Sequence, residues 1–314
     1  MSEANFLQDG CKLDHTAVAA LKGGDVIQLA DGRAAVVPTG VDAGCVIGAS
    51  VEGVYEIAKT TGIVVLYGGD VYWDVSAGKA HFRPESGTPD FLVGVCVKDA
   101  ASADTTVKVA INTRSRYVID LSADQEWTAE ATNGLGVTAL PGATQKLEFD
   151  AVAEAAQAAI LSNHAVPKEA GPILEARVAV FNIGDNAALD IDIGLASSSH
   201  ATDFEAIANL VAAHLDGAAL DIKVHSDDGT TDVAPVDSTI DAVDDTFFEL
   251  WIDCRNPADV QVYVNGVDAV PAGTTLTLTA ATNALKAIAH MEKTNDDTVA
   301  DVRISRLRVR TSTE

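Results

Sequence analysis

The sequence predicts an all-β protein that consists of a small antiparallel β-barrel followed by a β-sandwich. Three observations lead to this fold class. Between Gly23 and Asn112, short runs of strand-forming residues alternate with turn signals, and no helical pattern separates them. This rhythm stops over residues 113–124 and then resumes. Finally, 47% of the 314 residues are hydrophobic, which is enough material for two packed cores.

The first domain contains the tetrapeptide Gly-Gly-Asp-Val twice, at residues 23–26 and 68–71, each time just before a β-rich run. Glycine adopts backbone conformations with positive φ, and aspartate hydrogen-bonds the backbone nearby, so the two copies predict tight turns that open strands. We expect at least one glycine of each pair to have positive φ. The predicted structural turn residues are Gly23, Gly24, Asp25, Gly68, Gly69 and Asp70.

The domain boundary is predicted where the strand rhythm stops. We expect a barrel domain with an N-terminal arm over residues 1–116, a linker over 117–124 and a sandwich over 125–314. Arg114 and Arg116 precede the linker, and trypsin should cut there first because linkers combine exposure with few contacts.

The second domain alternates strand and turn signals but includes two alanine-rich stretches, residues 149–163 and 203–215. Alanine is the best helix former, and the apolar spacing of three and four favours a helix in both. The last run, residues 301–310, alternates apolar residues with arginines and slips once at Ser305–Arg306, which predicts a β-bulge.

The charge of the chain excludes several functions. The formal net charge is -25, with 15 acidic and 10 basic residues in positions 1–120 and 31 and 11 in positions 121–314. The negative electrostatic potential of such a charge disfavours direct contact with nucleic acid or an anionic membrane. No signal peptide or apolar span of 18 residues is visible. Four dispersed cysteines predict reduced, mostly buried thiols.

The first domain resembles a capsid-decoration, or cement, family of tailed bacteriophages. The resemblance covers roughly 90 residues and rests on the double turn-strand, a Gly-Val-Tyr-Glu-Ile strand (53–57), a Gly-Asp-Val-Tyr-Trp-Asp strand (69–74) and the closing Val-Lys-Val-Ala-Ile-Asn (107–112). It implies a small barrel that binds the outer face of a capsid lattice as a trimer.

The second domain resembles the concanavalin or laminin-G type of β-sandwich (jelly-roll type). The similarity is in residues 247–254, in residues 259–270 with a Tyr-Val-Asn-Gly turn, and in the terminal strand 301–310. It implies that residues 210–229 form a hairpin that turns at Asp216–Gly217, which conflicts with a helix over 210–215. Because many functions use this fold, the resemblance alone assigns none.

No catalytic residues are predicted. The seven histidines lack zinc-site spacing, and the sequence has no nucleophile elbow or phosphate-binding loop. Residues 197–200, Ser-Ser-Ser-His, place serine beside histidine, but neighbours on a strand point to opposite faces. A glycosidase would need paired carboxylates, for which residues 189–194 and the pair Glu249 and Asp253 are the candidates.

Two further groups of residues are candidate contact sites, although no cofactor is expected. Acidic loops that could ligate calcium contain Asp185, Asp190, Asp192, Asp227, Asp228 and Asp232; the alternative is that they solvate the rim of the sandwich. Tyr72 and Trp73 are neighbours on a strand, so one is expected in the core and the other at a subunit interface. Trp127 and Trp251 are expected in the sandwich core.

Together these features predict a capsid-decoration protein of the virion surface, made in the host cytoplasm, whose partners are the major capsid protein and two further copies of itself. It should stabilise the head and project the acidic sandwich outward. The alternatives are a carbohydrate-binding module that attaches virions to host or environmental glycans and a glycoside hydrolase. Glycan binding is compatible with decoration.

Overall fold

We describe the protein from a computed structural model that covers residues 10–85, 89–122, 127–181, 188–217 and 219–312. The chain divides into two compact units, Met1–Arg116 and Tyr117–Glu314. Both are built from antiparallel strands, which confirms the predicted all-β class. None of the helices among the described residues has the length and apolar character needed to cross a membrane.

The first unit forms two sheets. One has the strand order β1-β4-β3-β2 and the other β5-β9-β8-β6-β7. The described strands of this unit are β1 (Lys12–Thr16), β2 (Val26–Gln28), β3 (Ala34–Val36), β4 (Val46–Ser50), β5 (Val54–Ala58), β6 (Asp70–Asp74), β7 (Lys79–His81), β8 (Phe91–Lys98) and β9 (Thr106–Ile111).

The strand pairing of the first unit differs from the predicted closed barrel. Both strand orders are open in the described residues, and β5 and β7 lie at opposite ends of the second sheet. One parallel bridge, between Lys59 and Ala80, joins the residue after β5 to β7, with the Thr60 amide donating to the Ala80 carbonyl at 3.0 Å. A single bridge is not a ladder, so the sheet curls towards closure without completing it.

The second unit is a sandwich of two antiparallel sheets. Its described strands are β10 (Ile119–Asp120), β11 (Trp127–Thr132), β12 (Gly136–Leu140), β13 (Thr144–Phe149), β14 (Glu154–Ser162), β15 (Pro172–Phe181), β16 (Leu189–Ala196), β17 (Leu210–Asp216), β18 (Asp221–Asp227), β19 (Asp232–Asp241), β20 (Phe248–Asp253), β21 (Gln261–Val264), β22 (Val267–Asp268), β23 (Lys286–Asp296) and β24 (Ala300–Thr311).

The eight-stranded sheet has the order β12-β13-β24-β15-β20-β21-β22, with β10 also paired to β24, and the seven-stranded sheet has the order β11-β14-β23-β16-β17-β18-β19. Their facing sides share one hydrophobic core, to which Leu174, Leu250 and Val302 contribute from one sheet and Ile193 and Val211 from the other. We call these the inner faces. Trp127 packs at the edge of this core, whereas Trp251 is buried on the outer face between Leu250 and Ile252.

The first part of the predicted linker belongs to the second unit. Ile119 and Asp120 pair with Val309 and Arg308 of β24, and Ile119 is 1% exposed in the core. This strand could not be predicted from the sequence because it is only two residues long. A run that short has no alternation to read.

Both helical predictions are wrong. Residues 154–162 form β14 and residues 210–216 form β17, and the described helical segments of the chain are two short 3₁₀ turns, Lys168–Ala170 and Phe204–Ala206. Strands buried on both faces lose the alternation of polar and apolar residues. Small alanines at Ala158, Ala159 and Ala212 suit such crowded positions, so their helix propensity is overridden by packing.

Two finer predictions are confirmed. β17 and β18 form an antiparallel hairpin, with Leu215 opposite Ile222 and the turn beginning at Asp216–Gly217. In β24, Arg306 lies opposite Arg177 and Ile304 opposite Val178, so Ser305 is the extra residue of a bulge.

None of the four cysteines forms a disulfide, and only two of the four thiols expected to be mostly buried are buried. Cys96 and Cys254 are buried, whereas Cys11 and Cys45 are exposed.

Candidate functional site

The described residues of the first unit contain one type of turn three times, whereas the sequence repeat predicts it twice. Gly24, Gly44 and Gly68 have φ of 92°, 81° and 76°. Each donates its amide to the carbonyl of a residue in a separate segment: Val37 at 2.7 Å, Ala17 at 2.7 Å and Cys96 at 2.8 Å, respectively. Each turn is closed by a backbone hydrogen bond from the amide of one residue to the carbonyl of the residue three positions earlier. These bonds join Asp25 to Lys22, Cys45 to Asp42 and Gly69 to Leu66. A strand begins directly after each turn.

The structural repeat is shifted by one residue from the repeat in the sequence. Gly24 is the second glycine of its pair, but Gly68 is the first of its pair. The aspartates therefore differ in role. Asp25 accepts the Lys22 amide at 2.7 Å within its own turn, whereas Asp70 accepts the hydroxyl of Ser115 at 2.7 Å. The turns shape the fold of this unit, and only Asp70 reaches a distant segment.

The predicted aromatic pair lies on β6, where a register shift separates Val71 from Tyr72. Tyr72 and Trp73 are both half-buried, so neither is a fully buried core residue nor a fully exposed one. The shift explains this outcome, because strict alternation of faces holds only in a regular strand.

Exposed aliphatic side chains mark one end of the first sheet. Val18 follows β1 and is 95% exposed, and Val46, at the start of β4, is 63% exposed and lies opposite Thr16. An apolar patch on a surface can mark a site that binds another protein, and these two valines are candidates for such a patch. Sequence reasoning did not single them out, because an isolated valine in a strand reads as core.

The candidate catalytic residues of the sandwich are engaged in structural contacts. Glu249, 3% exposed, contacts Arg306 at 3.0 Å and Arg177 at 3.3 Å. Asp253 holds the guanidinium of Arg255 through both carboxylate oxygens. A carboxylate occupied by arginine is a poor nucleophile or proton donor.

The Ser-Ser-Ser-His segment is also structural. The hydroxyl of Ser199 donates to Glu130 at 2.6 Å, and Nδ1 of His200 accepts the amides of Thr202 and Asp203. Ser199 and His200 therefore make separate contacts, and no nucleophile and base pair forms between them.

The calcium candidates do not converge. Asp185 lies outside the described residues. Asp228 is buried and caps its own turn by accepting the amides of Thr230 and Thr231. Within the described ranges, no three histidine, cysteine, aspartate or glutamate side chains are arranged to hold a metal ion. Asp190 and Asp192 belong instead to a different cluster.

That cluster lies on the outer face of the seven-stranded sheet. Residues 197–209, which we call the covering segment, pack Phe204 and Ile207 against Leu210 and Ile288 of this face. The ring of Phe204 lies 5.4 Å from that of His290 and 5.9 Å from that of His225. The polar side chains of this outer face that lie near one another are Asp190, Asp192, His214, His225, His290 and Glu292.

Asp192 is the centre of the cluster. Nδ1 of His214 donates to its Oδ1 at 3.0 Å, and Nε2 of His225 lies 3.0 Å from the same oxygen. Burial alone would raise the pKa of Asp192, but the two histidines outweigh burial and lower that pKa to about 2. Burial likewise opposes the charge of His214, but contacts with Asp192, Asp190 and Glu205 raise its pKa.

Asp190 behaves in the opposite way, although it is only two residues from Asp192. Burial raises the pKa of Asp190 to about 6; His214 opposes this shift, and the nearby carboxylates of Asp192 and Glu292 add to it. Two carboxyl groups on one strand are therefore held in different protonation states near pH 5.

Three buried side-chain atoms of this outer face have no hydrogen-bond partner among the described residues. They are Nε2 of Gln157, Oδ2 of Asp192 and Nδ1 of His290. Buried polar atoms are nearly always paired, so such a group marks a place where a ligand or water is expected. Sequence reasoning named Asp190 and Asp192 but missed the histidines, because they come from separate strands.

Residues 7–111 match the family model described as phage cement protein, which confirms the resemblance of the first unit. The match covers about a third of the chain and leaves the second unit outside it. No curated protein matches the sequence.

Several solved structures are similar to the chain at low identity. The carbohydrate recognition domain of Emp46p in its potassium-bound form is 9% identical, with 60% of this chain and 89% of that chain covered and a TM-score of 0.42. An endo-1,3-β-glucanase from Streptomyces sioyaensis is 10% identical, with 59% and 89% covered and a TM-score of 0.44. A carbohydrate esterase from the Shiga toxin-encoding bacteriophage phi24B is 18% identical, with 63% and 99% covered and a TM-score of 0.40.

Proposed function

We propose that this protein decorates the outer surface of a tailed-phage capsid and stabilises the head. The match of residues 7–111 to phage cement protein carries this proposal. A protein that binds only the assembled lattice stabilises it by mass action. In this proposal the first unit binds the major capsid protein, and the acidic second unit is displayed on the virion surface.

Trimers at three-fold positions of the lattice form part of the proposal. Decoration proteins occupy symmetric sites, and the half-buried Tyr72 and Trp73 are available for a subunit interface. Sedimentation of the purified full chain at tens of micromolar tests preassembly. A trimer in solution would support this part of the proposal. A monomer in solution would mean that trimers form only on the capsid.

Binding to the capsid is tested with two matched substitutions. Val46 in the first unit and Val243 in the second are both 63% exposed, so replacing either by aspartate leaves the cores intact. In cosedimentation with capsids assembled from the major capsid protein of the same genome, Val46→Asp should weaken binding about tenfold, since it places a charge in an apolar contact. Val243→Asp should bind as the unaltered protein does. Equal binding by both variants would exclude this end of the first sheet, and no cosedimentation of the unaltered chain would contradict capsid decoration.

Glycan binding by the second unit is a second candidate. A pocket of about 140 Å³ is lined by Trp127, Gln145, Leu121, Ala129 and Ile160, so an aromatic ring and a polar amide border the same cavity, and both are groups that can contact a sugar. Glycan arrays probed with and without a chelator test this. Binding that is lost in Trp127→Ala supports the candidate, and an array without any binding contradicts it.

A further inference from the structure

The outer face of the eight-stranded sheet carries a group of arginines. Arg177 lies opposite Arg306 across β15 and β24, and Arg308 and Arg310 follow Arg306 along β24. The residues between them contribute to the core of the sandwich, so the arginines point away from that core. We call these four residues the arginine patch.

The arginine patch has more positive charge than its own carboxylates neutralise. Two glutamates lie beneath it and each contacts two arginines: Glu249 contacts Arg177 and Arg306, and Glu175 contacts Arg308 and Arg310. The side chains of both glutamates are 3% exposed, whereas those of Arg177 and Arg306 are 39% and 24% exposed. Four positive charges therefore cover two negative ones, and an arginine has more N–H donors than a shared carboxylate can accept.

Aromatic rings hold two of these guanidinium groups in position. Cζ of Arg177 lies 4.1 Å from the ring centroid of Phe247, and Cζ of Arg308 lies 4.0 Å from that of Tyr117. A stacked guanidinium loses less conformational freedom when it binds a further carboxylate. Arginine and aromatic side chains are also the ones that contribute most to the binding energy of protein interfaces.

The outer face of the seven-stranded sheet carries the opposite charge, in a row of aspartates. Asp190 lies opposite Asp216, and Asp221 lies opposite Asp241. β17 and β18 pair in the adjacent position, so the row crosses the four neighbouring strands β16 to β19. The imidazole of His214 lies 3.7 Å from Asp190 at one end of the row. We call the four aspartates the acidic row.

The carboxylates of the acidic row repel one another. Like charges placed opposite each other on neighbouring strands destabilise a sheet. Burial, followed by the charges of Asp237 and Asp241, raises the pKa of Asp221. Lys223 lies 3.7 Å from Asp216 and offsets one of these charges. A cationic surface brought against the row would reduce the remaining repulsion.

We infer that the arginine patch of one copy of this protein binds the acidic row of a second copy. Opposite residues on neighbouring strands are about 5 Å apart, which is the spacing of Arg177 and Arg306 and also of the aspartates in the row. Guanidinium and carboxylate groups at matching intervals can form several charge-assisted hydrogen bonds. Positions 121–314 hold 31 acidic and 11 basic residues, and four of those 11 form the arginine patch. The acidic surface of a second copy is therefore complementary in charge to this patch.

The two surfaces lie on opposite outer faces of the sandwich. The contact is therefore heterologous, and it continues from copy to copy in a ring or a chain. Both surfaces belong to the second unit, outside residues 7–111, so the inference goes beyond capsid decoration and does not rest on it.

Sedimentation velocity of the full chain, from micromolar to near-millimolar concentration, tests the contact. We expect association at low salt that weakens at high salt, because salt screens exposed charges. Asp241→Lys and Arg177→Gln should each weaken association about tenfold, which is the loss of one charge-assisted hydrogen bond. In Arg177→Gln the buried Glu249 keeps its contact with Arg306.

Mixing the two variants distinguishes a lost contact from a folding defect. Arg177→Gln keeps its acidic row and Asp241→Lys keeps its arginine patch. The mixture should therefore form pairs with the affinity of the unaltered protein, at concentrations where each variant alone is monomeric. Mixing does not repair a folding defect.

Asp232→Lys is the matched control. Asp232 and Asp241 are both exposed and lie at opposite ends of the ten-residue strand β19, about 30 Å apart. Asp232→Lys makes the same change in net charge, so it should associate as the unaltered protein does. Weakening by Asp232→Lys equal to that by Asp241→Lys, a mixture that does not recover, or a protein whose oligomeric state changes with neither salt nor the variants would overturn the inference. That result would leave capsid decoration in place, because cosedimentation with capsids measures it separately.

Discussion

The side chain of Asn112 pairs with the backbone of Ala34 as a neighbouring strand would. Its Oδ1 accepts the Ala34 amide at 2.9 Å, and its Nδ2 donates to the Ala34 carbonyl at 2.9 Å and to the Val51 carbonyl at 2.7 Å. Asn112 follows β9 of one sheet, and Ala34 begins β3 of the other. One side chain therefore joins the two sheets of the first unit, which gives a physical reason for an asparagine at the end of the segment Val-Lys-Val-Ala-Ile-Asn (107–112).

Replacing Asn112 with alanine should destabilise the first unit by about 3 kcal/mol, because three backbone groups lose their partners at buried or half-buried positions. Hydrogen exchange at the amides of Ala34 and its strand neighbours measures the change. Asn112 has φ of 57°, so Asn112→Gly is the control that removes the same bonds without backbone strain. Unchanged protection in both variants would show that the side chain does not hold the sheets together.

Gly24→Ala and Gly68→Ala should each cost about 1–2 kcal/mol, because a side chain disfavours positive φ. At Gly24 a Cβ would meet no atom within 4 Å, so the cost there is backbone strain alone. Urea denaturation measures it. Gly23→Ala and Gly69→Ala are the controls, since neither residue has positive φ, and they should be close to neutral. If the control variants lost more stability than Gly24→Ala and Gly68→Ala, the assignment of backbone strain to Gly24 and Gly68 would be wrong.

Asp192→Asn should destabilise the second unit by about 3 kcal/mol at pH 7, because it removes the buried carboxylate that accepts from Nδ1 of His214 and lies 3.0 Å from Nε2 of His225. The pH dependence follows from the lowered pKa of Asp192. Its stabilisation is present above the ordinary pKa near 4 and is lost as the pH falls towards about 2. Urea denaturation between pH 2 and 7, followed by tryptophan fluorescence in a Trp73→Phe background, measures both effects. A variant as stable as the unaltered chain at pH 7 would contradict the ion pair.

Asp190→Asn should change the stability of the second unit in the opposite direction, by stabilising it. The raised pKa means that the folded state holds a proton on Asp190 that the unfolded chain releases, so stability falls as the pH rises from about 4 to about 6. Removing the charge should therefore stabilise the protein above pH 6, by about 1 kcal/mol after allowance for solvent screening at this partly exposed group. Below pH 4 the variant and the unaltered chain should be equally stable. A destabilised variant at pH 8 would contradict the raised pKa.

Trypsin should cut the native chain first after Arg116. Arg114 and Arg116 are both exposed, but Ser115 between them is bonded to Gly68 and Asp70 through its hydroxyl. Mass spectrometry of the first fragments measures the site. Ser115→Ala should make cleavage after Arg114 as fast as after Arg116. First cleavage elsewhere would place the boundary outside residues 114–116.

The all-β class and the bulge at Ser305 could be predicted from the residues themselves, because they depend on turn residues and on local alternation. The hairpin of β17 and β18 was predicted only from the resemblance to a concanavalin or laminin-G sandwich. The motifs of the first unit also predicted its resemblance to phage cement protein, whose family model matches residues 7–111. The family match depends on residues that are close in the chain, so no tertiary information was needed for it.

The pairing of residues that are distant in the chain could not be read from the sequence. The Gly-Gly-Asp-Val copies are identical in sequence but lie one residue out of step in space, because cross-strand hydrogen bonds select which glycine takes positive φ. Alanine-rich residues 154–162 form a strand because both faces of their sheet are covered. Asp192 meets His214 and His225 through the register of three strands, and a shift of one residue in that register would point each side chain to the opposite face.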